Sequence, residues 1–345
     1  MKVDFTVLGE VLDRVRATIA SEATVEIYTF ICFRAGRVTS FDGAVGTITT
    51  SGLDSLGDFC VPGKKFCQIV QACKGQQGEI TFADSWIFVK SGQFKTKLPI
   101  YPADDFPDIA PEGNRVVLTV GAGIQEALKI ATTFVEKDGD KEKITGIGFE
   151  GDLVYATDGK RVVRAKLESQ ASKPFTISKK AAEQIIRLGD PDFLVKCRGN
   201  LVASYGTDTE IVARFPAEAF PFTFAYQVFA QSTLKDVIEL PEEFRKAVDR
   251  VRAFSEDDEG VILLTADGYH LKMSTASTEV GEASDVVPLV SPAFQVKLKG
   301  DKLGTLLSKL RPTTADITDL TQGDKRMVVF YGESYSFACA FAAMV

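Results

Sequence analysis

The stretch LVYATDGKRV, residues 153–162, places strand-like residues on both sides of an Asp-Gly pair and follows it with two cations. Three readings are open: Asp158 as a catalytic or metal-binding carboxylate, Gly159 as part of a phosphate cradle, or the pair as a turn. Asp-Gly between two strand-like runs favours the turn, because glycine adopts positive φ without steric cost. What the turn is for depends on where else the phrase occurs.

It recurs. FRAGRVTSFDG (33–43), FEGDLVYATDG (149–159) and LLTADGYHLKMST (263–275) each read as strand, glycine turn, strand. Their turn glycines, Gly36, Gly151 and Gly268, lie 115 and 117 residues apart. Upstream of each runs a stretch with apolar residues at helical spacing: LGEVLDRVRATI (8–19), IQEALKIATTFV (124–135) and PEEFRKAVDRVRAF (241–254). Downstream comes a second: GKKFCQIVQACKG (63–75), SKKAAEQIIRLG (178–189) and KGDKLGTLLSKLR (299–311). The chain therefore reads as three copies of one α+β unit, at 1–111, 112–233 and 234–345. Each is expected to pack two helices on one side of a β-sheet, a two-layer arrangement that buries one helical face. Three diverged copies in one chain suggest a symmetric, closed object.

At 345 residues, with 45% hydrophobic and 25% charged residues, the composition is that of a soluble globular protein of two or three domains. The N-terminal MKVDFTVLGEVLDRVRATIA carries charges throughout, so it reads neither as a signal peptide nor as a membrane anchor. No apolar run approaches the roughly 18 residues a membrane span requires. A cytoplasmic protein is expected. The six cysteines form no CxxC pair and the single histidine, His270, has no ligand-like neighbour, so free thiols are expected and no metal or cofactor is expected.

The net charge of −7 argues against nucleic acid until its distribution is considered. Counted over 8–20, 63–75, 122–137, 178–189, 241–254 and 299–311, the six helical stretches hold eighteen Lys and Arg against nine Asp and Glu, whereas the rest of the chain holds twenty-two against thirty-eight. The second helix of each copy is the extreme case, with ten cations and two acids. Helix propensity alone would admit Glu as readily as Lys. If the helices share a surface, it is a basic track suited to a phosphate backbone. The candidate contacts are Arg14, Arg16, Lys64, Lys65, Lys74, Lys129, Lys179, Lys180, Arg187, Arg250, Arg252, Lys302, Lys309 and Arg311.

Several segments now resemble the bacterial DNA polymerase III beta subunit family, the sliding clamps, and do so in family order. GDFCVPGKKFCQIVQA with KTKLPIYPADDFPDI resembles the close of the family's first domain. ATDGKRV resembles its second-domain signature, usually Ala-Thr-Asp-Gly-His-Arg-Leu, and STEVGEASD with a short apolar chain end resembles the third. The low similarity marks a diverged or phage-encoded member.

The resemblance implies a DNA clamp fold and a head-to-tail homodimeric ring, whose inner helices face double-stranded DNA without reading its sequence. It implies no enzymatic activity. The partners implied are a DNA polymerase and an ATP-driven clamp loader, with no membrane. It also implies a cleft for a short apolar partner peptide. Thr157, Gly159, Arg161 and Val162 match the motif of that cleft, and Lys160 stands where the family has His. Ile144, Phe341, Ala342, Met344 and Val345 fall at its other apolar positions, with Arg161 and Lys160 expected at the rim. Ala253 and Phe254 fall where the family places contacts across its dimer interface. Asp158 becomes a turn residue. The chain departs from the family at SEATVEIYTF (21–30), near Glu142 and Lys143, and at the terminal FAAMV (341–345).

Other signals are weaker. Gly146 to Gly151 matches GxGxxG, but a dinucleotide site needs that motif to open a helix, and here a strand-like run follows. SEDDEG (255–260) lacks the alternating ligands of a calcium loop. The alternative function, a DNA-modifying or nucleotide-processing enzyme on a repeat scaffold, finds no nucleophile and base in a recognisable grouping.

Overall fold

The computed structural model describes residues 1–52, 56–135, 146–254, 260–277, 281–321, 327–333 and 336–342. By their packing they fall into two compact units: 1–125 with 169–173 and 177–217, and 126–168 with 174–176 and 218–345. The three-copy reading of the sequence and this grouping differ for a physical reason. Strands of successive copies pair into shared sheets.

In the first unit, one sheet runs in the order β1 (Lys2–Asp4), β6 (Gln77–Ala83), β7 (Trp86–Ser91), β8 (Phe94–Pro99). The other has eight strands: β5 (Phe59–Pro62), β2 (Phe30–Arg34), β3 (Arg37–Phe41), β4 (Val45–Thr50), β14 (Thr209–Arg214), β13 (Asn200–Tyr205), β12 (Phe193–Cys197), β9 (Arg115–Val120). The join between copies is the antiparallel pair β4·β14, with Thr47 opposite Ile211 and Thr49 opposite Thr209.

Helices α1 (Phe5–Val15), α2 (Gly63–Ala72) and α4 (Lys179–Leu188) lie on one face of this sheet. Asp4 caps α1 by accepting the Thr6 amide, and Ser178 caps α4 by accepting that of Ala181. Phe5, Leu8, Leu12 and Val15 of α1 and Phe66 and Val70 of α2 are buried at helical spacing, sharing a core with Ile31, Phe33, Val38 and Val61 of the sheet. The opposite face, with Phe30, Cys32, Phe41 and Cys60, is covered by Ala103, Phe106 and Ile109. All six cysteines are free thiols.

The second unit holds the six-stranded order β10 (Gly146–Thr157), β11 (Arg161–Ser178), β22 (Phe337–Ala342), β21 (Met327–Tyr331), β20 (Thr314–Asp316), β15 (Val237–Glu239). Here β11·β22 joins strands of the second and third copies. A four-stranded sheet follows the order β18 (Gly281–Pro288), β17 (His270–Ser277), β16 (Val261–Ala266), β19 (Phe294–Lys299), packed by α6 (Phe244–Arg252) and α7 (Gly300–Lys309). α3 (Ile124–Thr132) begins at the boundary of the units. All six helical stretches read from periodicity are therefore helices. Two more were not anticipated: the short α8 (Thr318–Thr321) and α5 (Phe222–Phe229). Ala225 and Phe229 of α5 enter the core of the six-stranded sheet beside Tyr155, Val162, Val329 and Ala340.

The three hairpin glycines all have positive φ: 72° at Gly36, 57° at Gly151 and 109° at Gly268. Gly151 differs from the expectation in lying inside one strand element, β10, rather than between two. The Asp-Gly turns at Asp42, Asp158 and Asp267 share one geometry. Each aspartate Oδ1 accepts the amides two and three residues on.

Two glycines give opposed predictions. Gly9 lies inside α1, where a Cβ would meet only Val70 at an ordinary 3.8 Å. Gly9→Ala is expected to stabilise by about 0.5–1 kcal/mol through helix propensity. At Gly121 a Cβ would sit 1.3 Å from the Pro191 carbonyl oxygen, so Gly121→Ala must displace backbone and cost about 3 kcal/mol, the upper end for overpacking. Urea denaturation of the two variants checks both signs.

Candidate nucleic-acid interface and partner cleft

In the first unit, the helix layer is tied together by polar side chains at the end of α1. A helix terminus leaves its last carbonyls without helical partners. Here they are met from α4: Gln184 Nε2 donates to the Arg14 carbonyl at 3.2 Å, and the Arg187 guanidinium donates to the carbonyls of Asp13 and Arg14. Gln184 also donates to Thr47 Oγ1 at 2.8 Å, and Thr47 joins Thr18 and Ser40 in a buried hydroxyl cluster. Thr47 thus faces both α1 and α4, which lie side by side over β4 and β14.

The candidate cations divide on this geometry. Lys64, Lys65, Lys74, Lys309 and Arg311 are exposed and Lys179 is half-exposed, and none has an ion-pair partner among the described residues. Others are held by carboxylates: Arg16 by Asp13 at 3.1 Å, Lys180 by Asp42 at 3.3 Å, Arg250 by Asp285 at 2.6 Å and Arg252 by Asp249 at 3.7 Å. Lys129 pairs with Glu126, and Arg14 Nη1 donates to Thr209 at 3.1 Å. Arg187 corrects the sequence reading. It is exposed, but its donors serve the carbonyls at the end of α1 and Gln184, so it acts as a structural cap as well as a surface cation.

In the second unit the register Arg161↔Phe341 and Val162↔Ala340 brings the hairpin beside the chain end, 180 residues away, and the Ala342 amide donates to the Lys160 carbonyl at 3.3 Å. Thr157, Arg161, Val162, Phe341 and Ala342, predicted together, are together. Ile144, Met344 and Val345 lie outside the described residues. Exposure within the group is uneven. Gly159, Lys160 and Ala342 are open to solvent, whereas Thr157, Arg161, Val162 and Phe341 are buried.

Arg161 was expected at the rim, yet it is 3% exposed. It donates to Asp158 Oδ2 from Nε and Nη2 at 3.1 and 2.7 Å, and to the Lys302 carbonyl from Nη1 at 2.9 Å. Its guanidinium carbon lies 4.5 Å from the Phe134 ring centroid and 5.5 Å from that of Phe341. A charge this buried persists because each of its three nitrogens is hydrogen-bonded and two rings lie against it. Burial works to raise the Asp158 pKa, but Arg161 and the amides of Arg161 and Lys160 outweigh it and hold the carboxyl below its ordinary 3.8. Asp158 is therefore the turn residue the sequence suggested, and also half of a buried ion pair. Lys302, assigned from sequence to the helix surface, lies 3.7 Å from the same carboxylate. Lys160 borders Lys299 and Lys302, and that contact and the surrounding positive charge lower its pKa.

Sequence reasoning missed Phe134, because an aromatic just past a helix reads as ordinary core. It also placed Val162 on a cleft wall, whereas the side chain points into the core under α5 with Tyr155 and Phe220. Val162→Asp would therefore break this core, and cannot serve as a clean probe of peptide binding.

The whole chain can be superposed on solved sliding clamps. That of Pseudomonas aeruginosa (DNA polymerase III subunit beta) matches at a TM-score of 0.85 and 16% identity, covering 100% of this chain and 99% of the other. The fold is the sliding-clamp fold. The Bacillus subtilis clamp matches at 0.84 over 100% and 98%. By sequence, the Beta sliding clamp of Vibrio cholerae is 26% identical over 289 residues, 76% of each chain, and that of Helicobacter pylori strain J99 is 21% identical over 264 residues, 71% and 70%. No family model matches the chain. The resemblance read from PADDFPDI and ATDGKRV is thus matched by these relatives and by the fold, at low identity.

The buried pair makes a stability prediction. Asp158→Ala strands the Arg161 charge and is expected to cost about 3–5 kcal/mol, whereas replacing both residues with apolar side chains of similar volume recovers most of the loss. Because the folded carboxyl titrates below its ordinary value, its contribution is complete above pH 3.8 and fades as pH falls through the lower folded value. Denaturation midpoints of wild type and Asp158→Ala should differ at neutral pH and converge in acid.

Proposed function

We propose that this protein is a DNA sliding clamp, a processivity factor in which two copies close head to tail around duplex DNA. It acts as a tether rather than a catalyst. The observation that carries the reading is the full-length clamp fold joined to a helix layer whose unpaired cations contrast with an acidic remainder. Lys and Arg on helix surfaces meet phosphates without reading bases, as sliding requires. The divisions 1–111, 112–233 and 234–345 are then the copies whose repetition builds a ring of six domains from two chains.

Ring closure is assigned to the edges of the two four-stranded sheets. An edge strand presents unpaired amides and carbonyls to any strand that can add to it. β8 carries Lys95 and Lys97 with an exposed Phe94, and β18 carries Glu282, Asp285 and an exposed Val286. The charges are complementary, which favours β8 of one copy against β18 of the other over self-pairing. Phe254, 45% exposed just past α6, and Ala253 are assigned to the same closure.

Tethering is assigned to the surface around Gly159, Lys160 and Ala342, completed by Ile144, Met344 and Val345. A short apolar peptide from a DNA polymerase or an ATP-driven clamp loader would dock there, its affinity multiplied by the effective concentration the ring confers. The locus of action is the cytoplasm; no helix among the described residues is long and apolar enough to cross a membrane.

The test uses cations that support no fold contact. Reversing Lys64, Lys65, Lys179 and Lys309 to Glu should weaken association with duplexes of every sequence alike. It should also flatten the plot of log K against log salt by about 0.9 for each phosphate no longer neutralised. An unchanged salt slope contradicts the helix assignment. Native mass spectrometry should give twice the 37.5 kDa chain mass. Phe254→Asp, at a position solvent-exposed in the single chain, should shift that mass toward monomer with the fold intact.

A further inference from the structure

The sheet β1-β6-β7-β8 buries one face and leaves the other in water, and the water face is not an ordinary polar surface. Along β7 the burial alternates strictly: Ile87, Val89 and Ser91 point inward, Trp86, Phe88 and Lys90 outward. The register then orders the outer face in rows. Trp86 lies between Ala83 and Pro99, Phe88 between Thr81 and Lys97, and Lys90 between Glu79 and Lys95, with Lys2 beyond Glu79. Trp86 is 37% and Phe88 38% exposed, so two aromatic rings stand side by side in solvent on a sheet that has ample polar alternatives.

The charge on this face is mostly positive. Lys2, Lys90, Lys95 and Lys97 are exposed and make no ion pair among the described residues, in a chain of net charge −7. Of the carboxylates, Asp4 is committed to the Thr6 amide and to Gln77, which leaves Glu79 on the face and Asp84 in the turn between β6 and β7. Lys97 Nζ lies 4.4 Å from the Trp86 ring centroid, so the best-placed cation rests on the ring for want of an anion. The two rings are about 7 Å apart along the strand, twice the rise per residue. That spacing suits bases unstacked along an extended single strand. A duplex hides its bases from such rings, and an acidic peptide would engage the lysines while leaving the rings idle.

We propose that this face binds single-stranded nucleic acid, with bases stacking on Trp86 and Phe88 and backbone phosphates held by Lys90, Lys95 and Lys97. The combination of stacking platform and cationic track is the general solution for sequence-tolerant single-strand binding. The site is separate from the helix layer; Trp86, Phe88 and Lys90 lie on β7, outside the edge assigned to ring closure, whereas Lys95 and Lys97 of β8 serve both assignments. Lys97 exchanges its ring contact for a phosphate as a base takes its place on Trp86.

Trp86 is the chain's only tryptophan, so its emission reports this face alone. Titrating the full chain with a short oligothymidylate should quench the emission saturably. Three phosphate contacts predict a slope of about −2 in log K against log salt. Phe88→Ala should weaken binding by about tenfold. Lys90→Gln with Lys97→Gln should reduce the slope to about −0.7. All three positions are exposed, and circular dichroism checks that the variants stay folded. Lys64→Glu with Lys65→Glu, on the helix layer, should leave the quench intact. Absence of quenching, a quench unchanged in the sheet variants, a quench abolished in the helix variant, or equal quenching by duplex or polyglutamate each overturns the proposal.

Discussion

The carbonyl groups at the end of α1 must find donors, and the way they find them organises the first unit. Their partners are Gln184 and Arg187, from a helix in a different copy of the repeat. Gln184 is buried, and its amide left unmet would cost more than a typical hydrogen bond returns, so its bonds to α1 and to Thr47 hold α1 and α4 in one layer. Thr18, Ser40 and Thr47 complete the seam, and Gln184, 4% exposed, has no water to fall back on. With α1 and α4 aligned and α2 packed on α1, the free lysines at 64, 65 and 179 belong to one helix layer. A surface suited to a phosphate backbone follows from a capping problem solved between repeats.

The second unit rests on a different device with the same logic. Asp158 and Arg161 are three residues apart, yet the pair reaches the start of α7 through the Lys302 carbonyl and the chain end through Phe341. A buried ion pair is weak evidence for stability, because an apolar replacement serves as well. Its value here is geometric. It orients the hairpin against α7 and the last strand, so that the exposed residues Gly159, Lys160 and Ala342 gather at one place.

Much of this was legible from the chain. The six helices follow from apolar residues at i, i+3 and i+4, and the turn at Asp158 from Asp-Gly chemistry. The proximity of Val162 to Phe341 came only through the family resemblance, since no local pattern links residues so far apart. The fusion of repeats through β4·β14 left no signal, because each strand looks satisfied within its own copy. α5 was missed because PFTFAYQVF is aromatic on nearly every side and shows no polar face to set a period. Arg187 was misread for a related reason. A cation near a helix end has the same sequence signature whether it faces solvent or another helix's carbonyls.

Encirclement, as proposed, is a topological property: a ring would hold DNA by surrounding it. Retention on DNA tests it most directly. Assembled on DNA by an ATP-driven clamp loader, the protein should stay on a closed circular duplex through a high-salt wash that removes ordinary phosphate contacts, and should slide off the same DNA once a restriction enzyme makes it linear. Equal retention on circle and line, or release from both, would contradict encirclement.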